Sequence, residues 1–223
     1  MITIRRGLAA VLAAVIAAAA AGCSAGTPAG PSAAQVKAAV RDASSVHIAG
    51  LVTQGGAAER LDAGFLRTGD WDGTIISGAT PPVSLIVAGG RAYVLLTQAF
   101  LQSVAGKSAR CNGVCGKYLP LTGSQAAGLT SDISMTRLTG PLIQDLAGLK
   151  RTGTGTVNGR AVIVMRGSDG TVIDVAAHGR PYPLRIAGGT ASGGEGTLTL
   201  SQWDKVPAPA APSAAELISP SSL

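Results

Sequence analysis

The sequence predicts an α+β domain in which a single large, curved antiparallel sheet carries helices on its concave face. Three observations point there. Strand-like stretches follow one another across short Gly, Asn and Asp turns in two groups, over 46–97 and 153–203. Helical spacing is confined to a segment ahead of the first group and to the region between the groups. The strands of the second group end in an alternation of apolar and polar residues, the pattern of an antiparallel sheet with one covered and one open face. A sandwich of two sheets is the alternative, but it leaves the helices of 124–149 without a role.

Ahead of this domain, Arg5 and Arg6 form a short basic head, and Gly7 to Ala21 is an uncharged apolar run of 15 residues. As a helix it would measure roughly 22 Å. A spanning helix needs about 20 apolar residues, so the run has the proportions of an export signal. It closes on Ala20-Ala21-Gly22-Cys23, which resembles the lipobox of bacterial lipoproteins, with Ala20 where Leu is usual. The match implies a diacylglyceryl group on the Cys23 thiol and a location on the outer side of the cell membrane. An ordinary secretory signal with Cys23 merely near the cut is the alternative. The expected division is a signal peptide over 1–22, a flexible Gly/Ala/Pro/Ser/Thr tether over 23–31, and one domain over 32–223 with a Pro-rich tail.

Without Arg5 and Arg6 the chain has 16 basic and 12 acidic residues, a mild excess of +4. A nucleic-acid partner calls for clustered Lys and Arg interleaved with aromatics. Here the basic residues are scattered, and there are only two Phe, three Tyr and two Trp, so no nucleic-acid partner is expected. Weak attraction to an anionic lipid surface is the more natural use of the charge.

Ser32-Ala33-Ala34-Gln35 fits a capping box. Val36, Ala39, Val40 and Ala43 follow at helical spacing, with Lys37 and Arg41 opposite. From Val46 the pattern turns to strands: 46–53, 60–67, 71–77, 83–88 and 91–97, in close succession with short turns at Gly55-Gly56, Gly69-Asp70 and Gly89-Gly90. Such spacing implies an antiparallel meander. Gln98 to Val104 reads as a turn or two of helix. In Ser124–Leu149, Gly140-Pro141 is a candidate helix start, and Leu142, Ile143, Leu146 and Leu149 repeat at helical spacing. Strands return at 153–157 and 160–166 around Asn158-Gly159, then at 171–177, 182–187 and 195–203.

Cys111-Asn112-Gly113-Val114-Cys115 places two cysteines around a tight turn. In an exported domain this suggests a disulfide staple. A metal site would have to recruit the distant His47 and His178. A thioredoxin-like pair needs two intervening residues beside a βαβ unit, not three. Catalytic motifs are lacking: the chain contains no Gly-x-Ser-x-Gly and no His-Glu-x-x-His. Gly106-Lys107-Ser108 looks like the end of a phosphate loop, but Leu101 stands where its first glycine belongs. His47 in a strand, His178 in a turn, and Asp70 and Asp72 around Trp71 are read as structural or solvated. No catalytic residue, cofactor or metal is nominated, and the domain is read as a non-enzyme.

Several stretches resemble the LppX/LprG-type lipoproteins of actinobacteria, a LolA-like family. They are Ser44-Ser45-Val46-His47, Val83 to Leu95 around Gly89-Gly90, and Leu146-Ala147-Gly148-Leu149 before Asn158-Gly159. Pro181-Tyr182-Pro183-Leu184-Arg185-Ile186 and Leu200-Ser201-Gln202-Trp203-Asp204 complete the set, so the resemblance spans roughly Ser44 to Glu216. The Cys111/Cys115 loop is not part of it. The resemblance implies a half-barrel sheet over helices, an apolar cavity for acyl chains of a lipid or lipoglycan, and carriage of that lipid across the cell envelope. It leaves room for an export transporter as a further partner. Candidate lining residues are Ile48, Ile75, Leu85, Val87, Leu142, Ile143, Leu146, Val162, Leu184, Ile186, Leu198 and Leu200. The competing expectation is that they form a closed core, and that the domain is an anchored interaction or scaffold module with no ligand.

Overall fold

A computed structural model describes residues 30–54, 57–131, 133–189 and 195–218. Cys23, the signal segment and most of the tether lie outside the described residues. Eleven strands form one antiparallel sheet, with the order β6-β5-β4-β3-β2-β1-β11-β10-β9-β8-β7. The first meander is β1 (Ser45–Gln54), β2 (Ala57–Leu66), β3 (Trp71–Ser77), β4 (Val83–Ala88), β5 (Arg91–Leu95) and the short β6 (Tyr118–Pro120). The second is β7 (Lys150–Val157), β8 (Arg160–Arg166), β9 (Val172–Ala176), β10 (Pro183–Gly189) and β11 (Glu195–Ser201). The two halves join where β1 pairs with β11, His47 opposite Ser201 through to Thr53 opposite Glu195. One sheet, not a sandwich, is therefore the architecture.

The hairpins form where the turn chemistry predicts them. Gly89-Gly90 and Asn158-Gly159 all have positive φ, the backbone of a two-residue turn whose twist suits paired strands. At the seam between halves, a Cβ on Gly50 would run into the Thr197 carbonyl oxygen, and one on Gly196 into that of Leu51. Glycine at these two sites lets β1 and β11 approach more closely than side chains permit.

Helix α1 (Ala33–Asp42) starts with the expected capping box: the Ser32 hydroxyl accepts from Gln35 N–H, and Gln35 Oε1 accepts from Ser32 N–H. It ends under Arg67, whose guanidinium donates to the carbonyls of Val40, Arg41 and Ala43, at 2.7 Å from Nε to Ala43. A cation there satisfies the orphan carbonyls and opposes the negative end of the helix dipole. Between the meanders lie α2 (Gln98–Ala105), α3 (Gly123–Ser131), α4 (Met135–Asp145) and a 3₁₀ turn over Leu146–Gly148.

Two features differ from the sequence reading. Helix α4 begins at Met135, with the Ser134 hydroxyl accepting from Arg137 N–H, so Gly140-Pro141 lies within the helix and does not start it. Proline there removes one interior hydrogen bond, and the helix continues because its fixed φ is already helical. Strand β6 was not expected, being three residues long and ending in proline. The tail supplies its other partner: Leu217 bridges Tyr118, and Ile218 N–H donates to the Tyr118 carbonyl at 3.0 Å.

Apolar side chains gather in two clusters. The larger takes Ala39 and Val40 of α1, Ala43 that caps its end, Leu101 of α2 and Met135 of α4 against the strands. The smaller joins Val36 and Leu146 to Ile163, Met165, Ile173 and Val175 of β8 and β9. Among the described residues, no helix is long and apolar enough to cross a membrane.

Candidate functional site

Strand pairing lines up cross-strand rows on the helix-bearing face, and burial falls from one row to the next. The deepest row is Val46, Phe65, Trp71, Val87 and Ala92, all essentially inaccessible. Above it run Leu200, Ile48, Ala63, Gly73, Leu85 and Val94, all buried except the half-buried Gly73. The third row is Val83, Ile75, Leu61, Gly50, Leu198 and Ile186, directly paired across β4, β3, β2, β1, β11 and β10. Every member of this row is only half-buried. The row is apolar throughout, and Gly50 at its middle contributes no side chain. At roughly 4.8 Å per strand, six strands make an apolar strip about 24 Å long that the helices leave partly open.

The opposite face carries polar side chains interspersed with Leu51, Ile76 and Ile86. His47 Nε2 lies 3.0 Å from Asp62, Ser201 Oγ 3.4 Å from His47 Nδ1, Thr74 Oγ1 3.2 Å from Ser84 Oγ, and Arg185 Nε 2.5 Å from Asp174. Ser201, His47 and Asp62 supply the atoms of a hydrolytic triad on adjacent strands. They lie on an open sheet surface, with Asp62 65% exposed, and the strands around them are paired on both sides. That leaves neither a closed pocket nor free N–H groups for an oxyanion. The arrangement is a polar ladder.

The twelve residues proposed to line a cavity do not share one environment. Ile75, Ile186 and Leu198 are in the half-buried row. Ile48, Leu85, Val87, Leu184 and Leu200 are buried in the main cluster. Leu146 is buried in the smaller cluster, which the row meets only through Ile186. Val162, paired with Ala176, is also buried in the main cluster and borders a surface cleft, whereas its neighbour Ile163 pairs with Val175 and packs with Leu146. Adjacent strand residues project to opposite faces, so Ile163 joins the smaller cluster with Leu146 and Val162 the main one. Leu142 and Ile143 lie in α4, and their side chains are outside the described residues. Leu61 and Val83 were not nominated; both follow from alternation, Leu61 with Ala63 and Phe65, Val83 with Leu85 and Val87.

Clefts occur elsewhere on the surface. One of about 540 Å³ is lined by Gly30, Pro31, Gln35, Arg151, Thr154, Ile163 and His178 among others, at the ends of β7–β9. Another of about 360 Å³ lies over Gly50, Leu51, Arg60 and Leu61, beside the middle of the half-buried row.

The Cys111 and Cys115 sulfurs are bonded, as the spacing predicts, with Asn112 and Gly113 at positive φ between them. Gln98 at the start of α2 holds the loop from both sides: Nε2 donates to Ala109 O at 2.6 Å and Oε1 accepts from Cys111 N–H at 3.1 Å. Cys111, Val114 and Cys115 pack on the main cluster, so the loop forms part of its wall.

Three of the quoted motifs converge at the closed end of the sheet. Asp204 Oδ1 accepts from the Ser44 N–H at 2.7 Å and hydroxyl at 3.1 Å; Oδ2 accepts from Tyr182 at 2.5 Å and Arg180 at 3.3 Å. Tyr182 stacks on Trp203, whose Nε1 donates to Pro183 O at 2.9 Å. Burial alone would raise the Asp204 carboxyl, but hydrogen bonds from Tyr182 and Ser44 and the charge of Arg180 outweigh it and hold the group below its ordinary range. Burial, then the bond to Asp204, pushes the Tyr182 phenol up. This clasp ties the start of β1 to the ends of β10 and β11.

No protein-family model and no curated protein matches the chain. Among solved structures, LprF from Mycobacterium bovis superposes with a TM-score of 0.54 and 14% identity, covering 82% of this chain and 99% of LprF. The lipoprotein LppX from Mycobacterium tuberculosis gives a TM-score of 0.47 and 18% identity, over 78% of this chain and 93% of LppX. With one open antiparallel sheet carrying few helices, the chain has the fold of the LppX/LprG-type lipoproteins that its motifs resemble.

Proposed function

We propose that the protein is an exported lipoprotein, anchored through Cys23, that binds acyl chains of a lipid or lipoglycan and carries them across the cell envelope. The half-buried apolar row from Val83 to Ile186 is the observation that carries this reading. Apolar surface that helices flank without closing is surface an acyl chain can bury, at roughly 25 cal/mol per Å². Recognition of that kind needs shape and apolar atoms, not catalytic groups. Ile75, Ile186 and Leu198, with Leu61 and Val83, form the contact strip, and Ile48, Leu85, Val87 and Leu200 are the packed floor beneath it. The fold shared with LprF agrees with this role. The test is solvent extraction of the intact protein purified from membranes, followed by mass spectrometry. Acyl lipid retained in stoichiometric amount is the expected result. Protein that carries no lipid above a detergent blank belongs to the competing class, an anchored interaction module with a closed core.

A further inference from the structure

We infer that the β7–β8 edge of the sheet is the surface on which the domain docks against an anionic lipid bilayer; the inference rests on the membrane-anchored reading above. The first observation is where the tether arrives. Gly30 lies against β8, so close that a Cβ on it would sit 3.2 Å from Cγ1 of Ile163. Only six residues lie between Cys23 and Gly30, seven steps of chain. Fully extended they reach at most about 25 Å, so a lipid on Cys23 holds this corner of the sheet near the bilayer.

The second observation is charge. Residues 150–189 contain six basic side chains, Lys150, Arg151, Arg160, Arg166, Arg180 and Arg185, against the acids Asp169 and Asp174 alone. Arg185 is taken by Asp174 and Arg180 by Asp204. Lys150, Arg160 and Arg166 are exposed, and no ion pair joins any of them to an acid among the described residues. Lys150 stands directly opposite Arg166 in the β7–β8 register. Like charges so placed repel, and an anionic surface relieves that repulsion. Arg151 and His178 line the adjoining cleft together with Gly30 and Pro31.

The plainer reading of such residues is protection of a bare edge against pairing with another chain. It explains Lys150 and Arg151 on the outermost strand. It leaves Arg160 and Arg166, on the inner strand β8, unexplained. The far edge is treated differently: β6 is only three residues long and is paired by the tail at Leu217.

The experiment uses the full acylated protein reconstituted into vesicles of phosphatidylcholine, with or without phosphatidylglycerol, and reads backbone hydrogen exchange. Amides of 150–166 are expected to exchange several-fold more slowly on the phosphatidylglycerol vesicles at about 0.1 M salt, where the Debye length is about 10 Å. The difference is expected to vanish at about 1 M salt, where it is about 3 Å, and the 118–120 edge is expected not to change. Lys150→Gln with Arg166→Gln is expected to abolish the protection at an unchanged melting temperature. Should that variant not fold, the lipid and salt comparisons on the parent decide. Equal exchange of 150–166 on both vesicles, or protection confined to other strands, overturns the docking surface. Flotation with the vesicles at 1 M salt reports the anchor separately; its loss overturns the anchored reading and the docking proposal with it.

Discussion

The rings of Tyr182 and Trp203 lie parallel, 4° apart in plane, with centroids separated by 4.6 Å. The stack fixes the Tyr182 hydroxyl on Asp204, and Asp204 in turn holds Ser44 at the entry to β1. The chain's first and last strands are thus pinned together at one end, while the apolar row near the other end stays half open. The packed clasp and the half-open row lie at opposite ends of one sheet.

Tyr182→Phe keeps the stack and removes the hydroxyl donor. The cost is expected to be about 1–2 kcal/mol in denaturant unfolding at neutral pH, that of an unmet hydrogen bond to a partly buried carboxylate. Asp204 is held below its ordinary value, so its contribution is complete above the unfolded carboxylate pKa of about 4 and fades as pH falls through the folded value. Tyr182 is raised, so its contribution is complete below about pH 10 and is lost above it. The gap between parent and variant is therefore expected to be flat across neutral pH and to close at both extremes. A gap that widens in acid contradicts the clasp.

Gly50→Ala places a methyl group against the Thr197 carbonyl at the seam of the two half-sheets. Backbone cannot yield there without separating β1 from β11. A loss of more than about 2 kcal/mol is expected in the same assay, above the typical effect of a point substitution. A neutral outcome would show that the seam relaxes freely.

Cys111 and Cys115 are expected to resist alkylation in the mature protein until reductant is added. Reduction removes a constraint on a very short loop, and the chain-entropy estimate puts its worth at about 2 kcal/mol at most. Melting of reduced, alkylated protein measures it. Gln98 is expected to keep the loop near its place, so the domain stays folded.

Cys23→Ala is expected to release the protein from membranes or to leave its signal uncut, read by fractionation and by mass. Two acyl chains anchor stably where one is marginal, at about 0.8 kcal/mol per buried methylene. A variant that fractionates and migrates like the parent contradicts lipidation.

Most of the fold was legible because local rules and tertiary packing agree. Hairpin glycines, the capping box at Ser32 and the alternation of the strands each have a short-range cause, and each recurs in the structure. Helix α4 was misplaced because Pro141 suits a first turn as well as it fits this interior, and Ser134 is a weaker signal than Gly140-Pro141. The site was less legible. Which apolar residues are half-buried depends on register, and register depends on pairings between strands far apart in sequence, such as Gly50 with Leu198. Leu146 and Val87 looked like cavity residues by pattern, yet both are fully packed. The Ser44, Tyr182 and Asp204 motifs could be quoted from the sequence, but their common purpose appears only where the chain brings them together.

The central claim is that an acyl chain occupies the half-buried row, and the direct measurement is bound lipid per protein, with melting temperature, for Leu198→Trp against the parent. Leu198 sits in that row beside Gly50 and Ile186, where a large ring has open space to enter. The account predicts lipid on the parent, much less on the variant, and little change in melting. Leu146→Trp, in a packed cluster, is the control: overpacking there costs about 1–3 kcal/mol, read as a lower melting temperature. Equal lipid on parent and Leu198→Trp, or none on either with a large loss of stability in the variant, contradicts it.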